Sequence, residues 1–494
     1  MLDARHELSV AKTRAIQAVG GRARLQVIAI LAAVLGVEMA DQGTVSAVSD
    51  QLERVFHINN TDIGLLLAVV SFVGALATLP MGVLADRLRR RNILMVTIAL
   101  WAVTMVLSGL ASSFLFLLIA RVALGAVTAA AWPCTASLTG DFFPANERAS
   151  IYGMILSGEL IGVGVGFFIS GEVSNWLGWR SAFFAMAVPA ALLVWVVWRF
   201  LPEPQRGGQS WLRVNDDDPA AASEPGHARE SRGSNRHGAS GGSTTIAKRM
   251  RRHHVQPRQE LVLKRQGVQR SWWRVLVYLL RLPTYGLLIA ASGLAYYFFA
   301  GVRTFAMLYF TQHYGLQRTT ISALVFVMGL FALGGVLLGG RLSEYLLRRG
   351  QISARIVVPA VALFISIPFL GGGIWTRNAW LAVVLLAVGG GALAAALPPL
   401  DAARLDIVPA PMWGRGEAGR MTLRLILEGG APLLFGAMSA WLGGGQTGLQ
   451  WTFLIMLAPM IAAGALAVPA RRTYPPDVAT AAATADNLMQ KGET

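Results

Sequence analysis

Gly82-Val-Leu-Ala-Asp-Arg-Leu-Arg-Arg-Arg91 is the stretch whose reading decides how this chain folds. It closes an apolar run that begins near residue 61 and precedes another that begins near residue 92. At 1.5 Å per residue, each run is long enough to cross a bilayer core of about 30 Å. A small residue, an acid and a knot of arginines therefore mark a tight turn at a membrane surface. The element returns: Gly82, Leu84, Asp86 and Arg90 reappear as Gly340, Leu342, Glu344 and Arg348, each 258 positions later, and Ile63 reappears as Ile321. The chain is expected to hold two parallel copies of one membrane unit, related by a pseudo-two-fold axis along the membrane normal.

The composition agrees. Of 494 residues, 54% are hydrophobic and 14% charged, whereas soluble domains carry about 25% charged residues. The fold expected is an all-α membrane protein of twelve transmembrane helices in two six-helix pseudo-symmetric bundles. The spans lie near 26–48, 61–84, 92–111, 113–140, 149–172 and 180–201, then near 283–313, 320–345, 353–374, 379–400, 420–442 and 447–470. This divides the chain into a polar tail (1–25), a first bundle (26–201), a basic linker (202–282), a second bundle (283–470) and a tail (471–494). The first tail carries Arg5, Lys12, Arg14, Arg22 and Arg24. The apolar stretch that follows is too long for a signal peptide.

The net charge of +16 would suggest nucleic acid in a soluble protein. Here the basic residues sit in short loops at one face, as the positive-inside rule requires of a cytoplasmic surface, and no separate nucleic-acid surface remains. Both termini are expected in the cytoplasm and the protein in the inner membrane. The linker supplies half the excess, with 15 Lys and Arg against 7 Asp and Glu. Its 215–245 stretch lacks any apolar period and reads as disordered. Trp272-Trp273-Arg274 opens an apolar stretch suited to an interfacial helix. The linker reads as a tether along an anionic leaflet or as a docking site for a soluble partner.

Enzyme readings fail at the motif level. No glycine-rich loop ends in Gly-Lys-Ser/Thr, and His253-His254 lacks zinc-ligand spacing. The lone Cys134 excludes an internal disulfide. No cofactor and no metal are expected.

The Gly82–Arg91 element resembles the loop between the second and third helices of the major facilitator superfamily. Arg121 with Gly125 resembles a second motif of that family, in the fourth span. Three further stretches resemble its Spinster-like branch. These are Asp141-Phe-Phe-Pro144 with Glu147-Arg148-Ala149, Gly178-Trp-Arg-Ser-Ala-Phe-Phe184, and Asp406-Ile-Val-Pro409 followed by Gly414-Arg415-Gly416-Glu417-Ala418. The resemblance implies a secondary transporter working by alternating access on an amphiphile, lysophospholipid-like by preference, with protons as the coupling ion. It implies membrane lipids as surroundings and a monomer as the working unit. A multidrug/proton antiporter is the close alternative, and a non-transporting anchor or sensor acting through the linker is a third. Two departures stand out. The family tends to have Asp-Arg in the first span where this chain has Asp41-Gln42, and Glu-Ala in the fourth where it has Thr128-Ala129.

Charges inside a span cost about 2.5–3.5 kcal/mol on insertion scales, so each one asks for a cavity or a partner. Glu38 and Asp41 lie three apart, on one face of the first span. Asp41 is about seven residues from the outer end of its span and Arg121 about eight from the end of its own, so the two sit at similar depth. Their pair is either a permanent structural bridge or one broken by a proton or substrate. Glu38 reads as a cavity carboxylate or a satisfied buried acid. Glu159 stands on a Gly158, Gly162, Gly166 ladder suited to close helix packing, and reads as lining or packing. Arg303 either binds an anionic head group or snorkels to the interface. Glu428 pairs with Arg424 or faces the cavity. The aromatic run Tyr296–Phe299 reads as core or as a surface for acyl chains. Gly82, Asp86, Arg87 and Arg90, with Gly340, Glu344 and Arg348, form the expected gating motif. In it Asp86 meets the positive N-terminus of the eleventh span, while the Arg87–Arg91 cluster reads as a topology signal.

Overall fold

The computed structural model describes residues 21–58, 60–206, 255–263, 272–314 and 318–490. Twelve of its helices are long and apolar enough to cross a membrane. The first half comprises Arg22–Phe56, Asn60–Arg87, Arg90–Gly109, a broken fourth span (Phe114–Thr128 and Ala131–Phe142), Arg148–Leu177 and Trp179–Phe200. The second comprises Pro283–Tyr314, Arg318–Arg348, Ala354–Trp375, Ala379–Ile407, Trp413–Trp441 and a broken twelfth span (Gly445–Ile455 and Ala458–Gln490). Both breaks have the same cause. Pro133 and Pro459 lack an N–H, and each ring crowds the carbonyl four residues before it.

The repeat has two registers. Spans one and two map onto seven and eight at an offset of 258. From the third span on, the offset is 265: Phe114–Thr128 and Ala131–Phe142 fall on Ala379–Ile407, and Arg148–Leu177 falls on Trp413–Trp441 to within a residue. The junction of spans eight and nine thus holds seven extra residues, shared between added helix and a longer turn. This corrects the sequence-based pairing of Arg90 with Arg348. The counterpart of Arg90 is Arg355, one residue into the ninth span, while Arg348 is exposed at the end of the eighth.

The first span packs on the fifth through the glycine ladder. A methyl group on Gly158, Gly162 or Gly166 would overlap the carbonyls of Ala32, Gly36 and Ala40. Across the middle of the molecule, the second span packs on the eleventh and the fifth on the eighth. These two contacts are the most extensive between the halves.

The twelfth helix continues past residue 470 to Gln490, with Tyr474, Asp477 and Val478 buried along it. Residues 255–263 dock there: Arg258 donates its backbone N–H to Thr480 Oγ1 (2.9 Å) and its side chain reaches Asp477 (3.2 Å). Trp272–Arg281 forms a separate helix that buries Val275 and Leu279 and exposes Trp273 and Leu280. The expected disordered stretch 215–245 and His253-His254 lie outside the described residues.

Candidate functional site

Where the halves meet at mid-depth, one guanidinium holds several groups together. Arg424, on the eleventh span, donates from Nη2 to Glu159 Oε1 (2.8 Å) and from Nε to Glu428 Oε1 (3.2 Å). Its Cζ lies 3.5 Å from the Tyr296 ring centre and 5.2 Å from that of Trp132. Both rings present their negative faces to the cation. Arg424 is 97% buried, and its third nitrogen, Nη1, has no hydrogen-bond partner among the described residues. Glu38 joins the cluster from the first span. Its charged neighbours are Glu159, Arg424 and Glu428, and its Oε2 is buried without a hydrogen-bond partner among the described residues.

Two cavities flank this cluster. One is lined by Glu38, Asp41, Trp101, Trp132, Arg424 and Glu428. The other is apolar, lined by Leu156, Leu160, Phe299, Val336 and Leu397, with Glu159 and Tyr296 at its polar edge. Arg424 lines the polar chamber and Glu159 and Tyr296 the oily one, and their mutual contacts set the two chambers back to back. Of the aromatic run, Tyr296 and Phe299 face the apolar chamber, while Tyr297 and Phe298 are buried in the second half's core.

Asp41 and Arg121 meet inside the first half. Arg121 Nη1 donates to Asp41 Oδ1 (2.6 Å), Nη2 to Ser108 Oγ (2.9 Å), and the guanidinium lies 5.3 Å from the Phe183 ring centre. Glu38 and Asp41 share a helix face but not a partner: Asp41 serves the Arg121 pair and Glu38 the Arg424 cluster. Arg303 stands exposed, about two turns along the seventh span from Tyr296.

Toward the basic face, the halves are closed by two symmetric caps. Asp86 accepts hydrogen bonds from the Gly414 N–H (2.8 Å), the Arg415 N–H (3.2 Å) and Arg415 Nε (2.6 Å) at the start of the eleventh span. Glu344 accepts from the Ser150 N–H (2.8 Å) and Oγ (2.5 Å) at the start of the fifth. Ser150 and Arg415 are themselves equivalent at the 265 offset. Each carboxylate satisfies orphan amides at a positive helix end. Gly82 and Gly340 permit the approach, since a Cβ at either would run into Ala418 and Gly414 or into Ala149.

A second pair of braces stands beside the caps. Arg90 bonds to Asp141 and to Ser137 Oγ (3.0 Å), and its Nε donates to Glu203 Oε1 (2.9 Å). Arg355 bonds to Asp406 and to the carbonyl of Ala145 in the other half. Both Arg–Asp pairs span 51 residues, and both aspartates open an Asp-x-x-Pro sequence. Arg90 is 99% buried, so the reading of the whole Arg87–Arg91 cluster as a topology signal does not hold for it. Arg87 and Arg89 are exposed. The repeated Asp-x-x-Pro was the signal that could have located these braces. Arg424, by contrast, surfaced in the sequence only as a neighbour of Glu428, and Trp101 and Trp132 carried no signal at all.

Two six-helix repeats, a cavity lined by charged residues between them and carboxylates that cap helix starts across the halves at one face define a multi-pass membrane transporter of the secondary type rather than an enzyme. Its sequence places it in a family: residues 29–422 match the Major Facilitator Superfamily, and the chain belongs to it. Among solved structures it resembles a bacterial homolog of the human lysosomal transporter Spinster, in its inward-facing and occupied conformation, with 19% identity, TM-score 0.59, and 92% of this chain and 98% of that one covered. The unoccupied inward-facing form of that homolog gives a TM-score of 0.58 at 19% identity over the same shares of the two chains. The human organic anion transporter MFSD10 (TETRAN) gives 0.61 at 14% identity, over 89% of this chain and 99% of its own. At these identities the likenesses establish the fold. A small molecule crossing the membrane is the substrate that fold implies.

Proposed function

We propose that this protein moves an amphiphile, lysophospholipid-like by preference, across the inner membrane by alternating access, coupled to protons. The observation that carries the reading is the back-to-back placement of the two chambers. An amphiphile has a polar head and an apolar tail, and the polar and apolar cavities adjoin at Glu159, Arg424 and Tyr296. Burial of one tail methylene is worth about 0.8 kcal/mol, so an oily chamber favours long-chain substrates over compact polar ones.

The positive-inside rule makes the basic face cytoplasmic. The Asp86 and Glu344 caps then close the cytoplasmic side. The Spinster homolog was solved inward-facing. Asp41 is the proposed proton carrier, since its bond to Arg121 breaks when it is protonated. The linker holds the two halves to the inner leaflet, and the monomer is the working unit.

Reconstituted liposomes test this. Labelled lysophospholipid should accumulate, and more so with an imposed pH gradient. Accumulation of a cationic dye with no lysophospholipid movement would favour the multidrug antiporter instead.

A further inference from the structure

The short helix Trp272–Arg281 is apolar on two opposite sides. One side buries Val275, Tyr278 and Leu279, which share an apolar core with Met412 and Trp413 where the eleventh span begins. The contact runs along the first turns of that span. A methyl group on Gly416 would lie 3.8 Å from Leu279 Cδ1, and one on Gly419 would lie 3.6 Å from Leu276 Cδ1. This seat begins one residue past Gly414 and Arg415, whose N–H groups Asp86 accepts.

The opposite side is exposed. At 3.6 residues per turn, Trp273, Val277 and Leu280 fall on one stripe, and they are exposed by 67%, 44% and 53%. Arg274 and Arg281, two turns apart, form an exposed basic edge beside that stripe. The helix carries no acid. The chain enters the seventh span at Pro283, two residues after the helix ends, so the helix is held at the depth of the membrane surface. An apolar stripe with an arginine edge at that depth matches acyl chains under anionic head groups. The depth favours lipid over a soluble protein as its cover.

We propose that this helix is a docking surface for anionic phospholipids of the cytoplasmic leaflet, and that their binding supports the Asp86 cap. Trp273, Val277 and Leu280 enter the acyl boundary, and Arg274 and Arg281 take the phosphates. The same turns of helix then press Leu276 and Leu279 onto the eleventh span, keeping the Gly414 and Arg415 amides within reach of Asp86. Lipid charge thereby becomes an input to the cytoplasmic closure. The inference rests on the cytoplasmic placement of the basic face and is independent of the molecule transported.

The test uses the full-length chain in nanodiscs, with a fluorophore on Leu280→Cys in a Cys134→Ala background. Brominated phosphatidylcholine and brominated phosphatidylglycerol serve as quenchers. Both should quench, and phosphatidylglycerol should do so at about fivefold lower mole fraction, the worth of one arginine at an anionic surface. Arg274→Gln combined with Arg281→Gln should keep the quenching by phosphatidylcholine and erase the preference. Spin-label distances across the basic face should shorten as phosphatidylglycerol replaces phosphatidylcholine, and should not respond in the double variant. Quenching by neither lipid overturns the docking surface. Equal quenching by both overturns its preference for anionic lipid. Distances that ignore lipid charge overturn the link to the Asp86 cap. Each of these failures leaves the amphiphile reading standing, since no transported molecule enters the measurement.

Discussion

Glu159 and Arg424 occupy equivalent positions of the two halves, 265 residues apart, and bond to each other across the interface at 2.8 Å. A repeat that places an acid in one copy and a base in the other makes its own axis an ion pair. The pair is buried, so its strength depends on geometry, and removing one partner strands the other. A double-mutant cycle with Glu159→Gln and Arg424→Gln should give an interaction energy of about 1–3 kcal/mol in detergent-solubilised thermal unfolding. Additive effects of the two substitutions would mean that the contact is not held in the resting ensemble.

The Asp86 and Glu344 caps predict a symmetric shift in conformation. A carboxylate at a helix N-terminus is worth about 0.3–2 kcal/mol. Asp86 also accepts from the Arg415 side chain, so Asp86→Asn should act more strongly than Glu344→Gln. Spin-label distances across the basic face should lengthen for each variant and further for the double variant. Distributions that match wild type would remove both caps from the gating account.

Among the described residues Asp41 bonds only to Arg121, and Arg121 is also held by Ser108. Asp41→Asn should abolish accumulation driven by a pH gradient and retain substrate binding. Arg121→Ala should lose both, because Asp41 is then buried without its counter-charge. Gradient-driven uptake at the wild-type rate in Asp41→Asn would move proton coupling to Glu38 or Glu159, or dispense with protons.

Arg206 bonds to the backbone carbonyls of Ala85, Asp86 and Leu88 at the end of the second span. Its guanidinium caps the negative end of the helix that carries Asp86. Burial lowers its pKa from the ordinary arginine value, but the group stays charged at neutral pH. Arg206→Ala should loosen the gate by about 0.3–2 kcal/mol, read as faster cysteine labelling at position 83. Unchanged labelling would make this contact incidental.

Topology is open to single-cysteine labelling in a Cys134→Ala background. An impermeant reagent applied to intact cells should label cysteines at positions 175 and 446 and miss one at 234. Labelling of position 234 from outside would invert the orientation proposed above.

The sequence by itself determined the spans and the repeat. In a bilayer every backbone polar group is satisfied within its own helix, so apolar length along the chain is enough to count spans. Depth arithmetic put Asp41 and Arg121 at one level, because helical rise is constant, and the contact of Asp86 with the start of the eleventh span was expected from the resemblance of its loop to the family motif. The tertiary structure alone decided the rest. The seven-residue shift between spans eight and nine hid the match of Arg90 with Arg355, since the exposed Arg348 imitates it at the earlier register. The assignment of Glu38 to Arg424 and of Asp41 to Arg121 depended on how the first span is rotated against the fifth, which the glycine ladder sets. The Glu159–Arg424 bridge depended on two halves meeting face to face. Hydropathy is a local property of one helix; partner choice belongs to the packed faces of several, and nothing along a single span records it.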